Sequence, residues 1–160
     1  MGLCHSAFKR RPRDTQNTNN LTDEELAKAE IGEYFSFSGR KMLAKIVAVY
    51  DGDTCTAVFR LLQGSDKSPL IQYKIRMVGV DTPELKPLLS TANRDEIVAK
   101  AKEAKKAVED KILNKVVILD CQEFDKYGRI LATITVEGIN LNEWLISNNY
   151  AVSYDGGTKQ

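Results

Sequence analysis

Residues 41–62, KMLAKIVAVYDGDTCTAVFRLL, consist of two β-rich runs around Asp51-Gly52-Asp53. Asp-Gly is a strong turn dipeptide, so the stretch predicts a hairpin. Immediately downstream, LIQYKIRMVGV at 70–80 alternates apolar and polar residues with period two, which predicts a third strand.

Further on, ANRDEIVAKAKEAKKAVEDKILNK (92–115) places Ile97, Ala101, Ala104, Val108 and Ile112 at spacings of 4, 3, 4 and 4, so one amphipathic helix is expected over about residues 92–114. Its lysines alternate with Glu103, Glu109 and Asp110, the pattern of a solvated face rather than a nucleic-acid patch. KVVILDCQEF (115–124) and RILATITVEG (129–138) read as two more strands around DKYG, and NLNEWLISNNY (140–150) as a closing helix with Asn140 as its cap. Five short strands interrupted by one helix suit an α+β domain built on a five-stranded OB-type β-barrel.

Ahead of the barrel, LTDEELAKAE (21–30) has a capping box, Thr22 with Glu25, and Leu21 placed to staple against Leu26. A short N-terminal helix is expected at 22–30, followed by a connector in which Tyr34, Phe35 and Phe37 serve as packing anchors. Residues 9–20, KRRPRDTQNTNN, lack an apolar period and read as a flexible arm. The expected organisation is therefore an arm at 1–20, a helix and connector at 21–40, and the barrel domain at 41–160.

The 160-residue chain is 42% hydrophobic, which suits one globular domain of modest core. No run of 18 apolar residues occurs and the start lacks the apolar region of a secretory signal, so an intracellular protein is expected. Three cysteines without CxxC spacing and a single histidine, His5 in the arm, argue against disulfide frameworks, structural zinc and histidine catalysis. Net charge is +1; the first 20 residues carry +3, leaving the remainder at −2. Nucleic acid would have to be handled at a local site rather than by a broad basic field.

Three separated elements carry chemistry: DGDT at 51–54, RMVGVDTPE at 76–84 and DKYGR at 125–129. Each alone reads as an ordinary turn or strand end. Together they supply the carboxylates of Asp53, Asp81 and Glu84 and the guanidinium forks of Arg76 and Arg129, which suit phosphate oxygens. Clustered carboxylates repel unless a cation compensates them, and oxygen ligands without His or Cys indicate a hard ion, Ca²⁺ or Mg²⁺. A divalent ion with two arginines is the arrangement that stabilises charge in phosphodiester cleavage.

In this order, separated by an amphipathic helix, these motifs closely resemble the signature of the staphylococcal nuclease (thermonuclease) family, over roughly residues 41–154. The resemblance implies that Asp53 and Asp81 are calcium carboxylates, that Thr82 offers its backbone carbonyl to the ion, and that Asp51 supports them from outside. It implies that Glu84 activates or orients the attacking water, that Arg76 and Arg129 are catalytic, and that Tyr127 and Tyr154 contact substrate. Its members use calcium to hydrolyse DNA and RNA, leaving 3′-phosphate ends. The chain stops at Gln160, so the long C-terminal helix of some members is not expected. The alternative is a catalytically inactive OB-type module that binds nucleic acid or protein. A monomer is expected in either case.

The start, MGLCHS, fits the N-myristoylation pattern with Gly2 as acceptor. Cys4 as a palmitoylation site and the basic KRRPR supply the second signals that stable anchoring needs, and the arm resembles the acylated amino terminus of some plant calcium-dependent nucleases of this family. Tethering to the cytoplasmic face of a membrane is expected.

Overall fold

A computed structural model describes residues 27–30, 32 and 34–155. The chain divides into two compact units, Met1–Tyr34 and Phe35–Gln160. In the first, Ala27 is helical and Lys28 lies in a turn. The start of the expected N-terminal helix and the whole arm, with Gly2 and Cys4, lie outside the described residues.

The described residues of the second unit form ten elements: β1 (Lys41–Val49), β2 (Thr54–Arg60), β3 (Leu70–Met77), β4 (Val80–Asp81), α1 (Arg94–Ile112), β5 (Val116–Phe124), β6 (Ile130–Val136), β7 (Ile139–Asn140), α2 (Leu141–Ser147) and β8 (Val152–Ser153). The five long strands form a sheet in the order β3-β2-β1-β5-β6, all antiparallel, and β3 then pairs in parallel with β6. That last pairing closes the sheet into a five-stranded barrel, the OB-type fold expected from the strand count. A parallel pair needs a long crossover connection, here the segment that includes α1 and β5.

Alternation along the strands fills the barrel. Met42, Ala44 and Ile46 point inward from β1, and Ile130, Ala132, Ile134 and Val136 from β6, all of them buried. The helix α1 buries Ala101, Ala104, Val108 and Ile112, a subset of the stripe read from its spacing, and Ile97 is only half-buried. Of the three aromatic anchors expected before β1, only Phe37 enters the core, at 1% exposure, with its ring edge-on to Phe59. Tyr34 and Phe35 are exposed; Phe35 instead lies against the Phe37 ring and under the Arg40 guanidinium. The Cys55 and Cys121 thiols are unpaired and buried, and burial is the main reason they are pushed up to about 12 and about 11. No helix among the described residues is long and apolar enough to cross a membrane.

Beyond the barrel, α2 is capped as its sequence predicts: the Asn140 side chain accepts from the backbone N–H groups of Asn142 and Glu143. Asn142, buried in the first turn, ties this helix to the barrel. Its Oδ1 accepts from Ile134 N at 3.0 Å, and its Nδ2 donates to Val78 O at 2.8 Å and Ala132 O at 3.3 Å. Val78 leads directly into the Gly79 turn and β4, so the same side chain braces the strand that carries Asp81. Replacing Asn142 by Leu strands a buried N–H and removes a donor from two carbonyls. The expected cost is about 3 kcal/mol, seen as a fall in thermal midpoint of about 10 °C.

Candidate active site

The rim of the barrel at the starts of β2 and β6 and the end of β3 gathers the chemistry-bearing residues. Thr54, the first residue of β2, pairs directly with Arg76, and Arg76 in turn pairs with Leu131 across the parallel seam. The turn before β2 therefore lies beside the end of β3, and the residue before β6, Arg129, is brought to the same rim.

Asp53 is the hub. Its Oδ2 accepts from the backbone N–H of Thr82 at 3.1 Å and from the Thr82 hydroxyl at 3.0 Å, and it lies 3.3 Å from Arg76 Nη2. Its Oδ1 accepts from the Thr54 hydroxyl at 3.0 Å. Arg76 Nη2 also reaches Asp81 Oδ1 at 3.4 Å, and Nη1 donates to Met77 O at 2.7 Å. Two carboxylates, from β4 and from the turn before β2, thus converge on one guanidinium nitrogen.

Gly52 makes this approach possible. A Cβ on it would fall 2.8 Å from Thr82 Cγ2 and 3.0 Å from the Ala104 Cβ of α1. The Asp-Gly dipeptide that marks the turn in the sequence is thus also a contact surface, where backbone packs against Thr82 and the helix.

Arg129 stands on the other side of Thr54. Its Nη1 donates to the Thr54 hydroxyl at 3.3 Å and its Nε to Asp125 Oδ2 at 2.6 Å, and the guanidinium lies 5.5 Å from the centre of the exposed Tyr127 ring. A continuous polar path therefore runs Asp125–Arg129–Thr54–Asp53–Arg76–Asp81. Glu84 is exposed two residues beyond Thr82, at the start of the loop leading to α1. Tyr154 is fixed through its backbone, its N–H donating to Gly79 O at 3.1 Å, at the end of the β8 strand that pairs with β4.

The electrostatics follow from the crowding of acids. Burial, then the neighbouring Asp53 charge, pushes the Asp51 carboxyl above its ordinary range. Burial acts on Asp125 in the same sense, but hydrogen bonds from the Arg129 backbone and side chain and from Tyr127 N–H outweigh it and hold that carboxyl below its ordinary range.

A hard divalent cation suits this donor set. Among the described residues no three His, Cys, Asp or Glu side chains form a metal-binding group, so an ion here would rest on two carboxylates, a backbone carbonyl and water. Asp53 and Asp81 already share one positive partner, Arg76 Nη2, which marks the point where their charge converges. Arg76 compensates part of the charge of the two acids.

The motifs read from the sequence therefore place Asp53, Arg76, Asp81, Thr82 and Arg129 in one connected cluster, with Tyr127 beside it and Glu84 and Tyr154 on flanking segments. Two members of the cluster were not singled out in the sequence reading, Thr54 and Asp125. Both lie inside the quoted motifs, and the i, i+4 spacing of Asp125 and Arg129 across a Tyr-Gly turn is the signal that identifies the second.

Residues 74–160 match the model of the family described as staphylococcal nuclease homologue. The chain belongs to this family. The matched span holds every residue of the cluster except Asp53 and Thr54, which come from the preceding hairpin. A similar protein, an uncharacterised protein of Methanocaldococcus jannaschii, is 34% identical over 132 residues, covering 69% of this chain and 58% of the relative. The chain thus spans 58% of that relative's length.

Gly52→Ala must push Thr82 off the Asp53 carboxylate, because the added Cβ crowds both the Thr82 side chain, which is hydrogen-bonded to Asp53, and the Ala104 Cβ on α1. A loss of about 1–3 kcal/mol in denaturant unfolding is expected, as for other overpacked contacts.

Proposed function

We propose that this chain is a calcium-dependent phosphodiester hydrolase acting on DNA or RNA and leaving 3′-phosphate ends. The observation that carries the reading is the linkage of two arginines, through Thr54 and Asp53, to a pair of converging carboxylates on one barrel rim. Membership of the staphylococcal nuclease homologue family supports it.

In this reading Arg76 and Arg129 present N–H donors to the non-bridging oxygens of the scissile phosphate, where negative charge builds in the transition state. The Glu84 carboxylate orients the attacking water and accepts its proton at a carboxylate oxygen. Water adds to phosphorus, the P–O5′ bond breaks, and the chain 3′ to the break departs with a 5′-hydroxyl whose oxygen takes its proton from solvent. Tyr127, exposed beside Arg129, offers a ring face and a hydroxyl to the substrate. Asp53, Asp81 and the Thr82 carbonyl would hold the calcium ion, with Asp51 in support, and the ion when bound would supply further positive charge at the phosphate.

Cleavage of single- and double-stranded DNA and of RNA, assayed with Ca²⁺, Mg²⁺ or chelator, tests the reading. Activity with Ca²⁺ that disappears in chelator is expected, together with losses on the order of a hundred- to a thousandfold in Glu84→Gln and in Arg129→Ala. Product formed in chelator, or full activity in both variants, would sink it.

We also infer a tether to the cytoplasmic face of a membrane. The support is the sequence Met1–Ser6 with Gly2 as myristoylation acceptor, Cys4 as a palmitoylation site and the following basic run, since two signals together give stable anchoring. Gly2→Ala is expected to release a fluorescent fusion from membranes into the soluble fraction. An unchanged membrane distribution would show that acylation at Gly2 does not place the protein.

A further inference from the structure

The turn between β5 and β6 is built around one carboxylate. Asp125 follows the last residue of β5, and its Oδ1 accepts from the backbone N–H of Tyr127 at 2.8 Å and of Arg129 at 2.9 Å. The backbone closes the same loop, with Gly128 N–H donating to Asp125 O and Asp125 N–H to Arg129 O, each at 2.9 Å. Those contacts complete the turn, and a turn needs no more. Oδ2 does something different: it accepts from Arg129 Nε at 2.6 Å, a short charge-assisted bond.

A free arginine side chain samples many rotamers and loses about 2 kcal/mol of conformational entropy when it is fixed on a phosphate. Here the guanidinium is held at two points before any substrate arrives, at Nε by Asp125 and at Nη1 by the Thr54 hydroxyl, with the Tyr127 ring beside it. Nη2 makes no hydrogen bond among the described residues, so the Nη1–Nη2 edge is the one presented to a ligand. Both holding groups are shielded: the Asp125 side chain is 13% exposed and Thr54 is buried.

We propose that Asp125 is a positioning residue, whose Oδ2 holds Arg129 with its outer edge aimed at the scissile phosphate. The role rests on the nuclease reading above and adds a residue to it. Because the guanidinium orientation is set in advance, Asp125 acts on the transition state through Arg129 without touching substrate.

Asp125→Asn separates this role from turn formation. The amide keeps an Oδ1 able to accept from both backbone N–H groups, but its NH₂ replaces Oδ2 and cannot accept from Arg129 Nε. The expected result is a fall in kcat of about ten- to a hundredfold with KM and thermal midpoint little changed, the loss of one charge-assisted hydrogen bond. Asp125→Glu, which retains the carboxylate, is expected to recover part of the loss. In the Arg129→Ala background the Asn change is expected to cost nothing further, because the two residues act as one unit. The Arg129 Nε–H resonance, followed by ¹⁵N NMR, is expected to move in Asp125→Asn whatever the activity.

Five outcomes decide the matter. A wild-type chain that does not cleave nucleic acid with Ca²⁺ overturns the nuclease reading and this role with it. An active wild type whose Asp125→Asn variant has unchanged kcat overturns the positioning role alone. Additive losses in the double variant, or a lower thermal midpoint that accounts for the lost activity, also overturn it. Loss of kcat confined to backgrounds that retain Arg129 establishes it.

Discussion

The parallel pairing of β3 with β6 is the constraint on which the rest depends. Three residue pairs, Ile75 with Ile130, Arg76 with Leu131 and Met77 with Ala132, turn an open antiparallel sheet into a closed barrel. Closure buries Ile75, Met77, Ile130 and Ala132 against the same interior, so hydrophobic packing drives the seam shut. The same register sets Arg76 one position from the end of its strand and Arg129 just before the start of its own. Two arginines 53 residues apart in the chain are thereby delivered to one rim.

On that rim, charge is arranged by a single carboxylate. Asp53 is 6% exposed and would be costly to bury alone, yet it receives two hydrogen bonds from Thr82, one from Thr54 and a salt bridge from Arg76. These contacts come from β2, β3 and the segment after β4, so satisfying one buried acid fixes three elements relative to one another. Thr54 has a double part: it donates to Asp53 and accepts from Arg129, joining the acidic and basic halves of the site. Rigidity is added from behind, where Asn142 braces Val78 and β8 pairs with β4. A rim of short strands and turns would otherwise be the least ordered part of a small barrel.

Much of this was legible in the chain. The hairpin around Asp51–Asp53, the period of β3, the helical stripe ending at Ile112 and the cap at Asn140 are local signals, each set by backbone geometry within one element. The order and spacing of the motifs are those of the staphylococcal nuclease homologue family. Less legible were contacts whose partners lie far apart: the bond from Asn142 to Val78 spans 64 residues and that from Arg129 to Thr54 spans 75. The aromatic connector was misread for a related reason. Phe35 and Phe37 are the same residue type two positions apart, and only the packing at the barrel end admits Phe37 and leaves Phe35 exposed.

The sequence by itself determined the five long strands, the long helix, the alternation that marks the barrel interior and the identities of the acids and arginines, but not the short β4, β7 and β8, because periodicity and turn chemistry act over a few residues. Tertiary structure alone decided that Arg76 would sit between Asp53 and Asp81, that Gly52 would lie against Thr82 and Ala104, and that Asp125 would hold Arg129 by its Nε. Each of those depends on the register of the β3–β6 seam or on the rotamer of a long side chain. Such distances are set by how the whole core packs, and no window of the chain contains them.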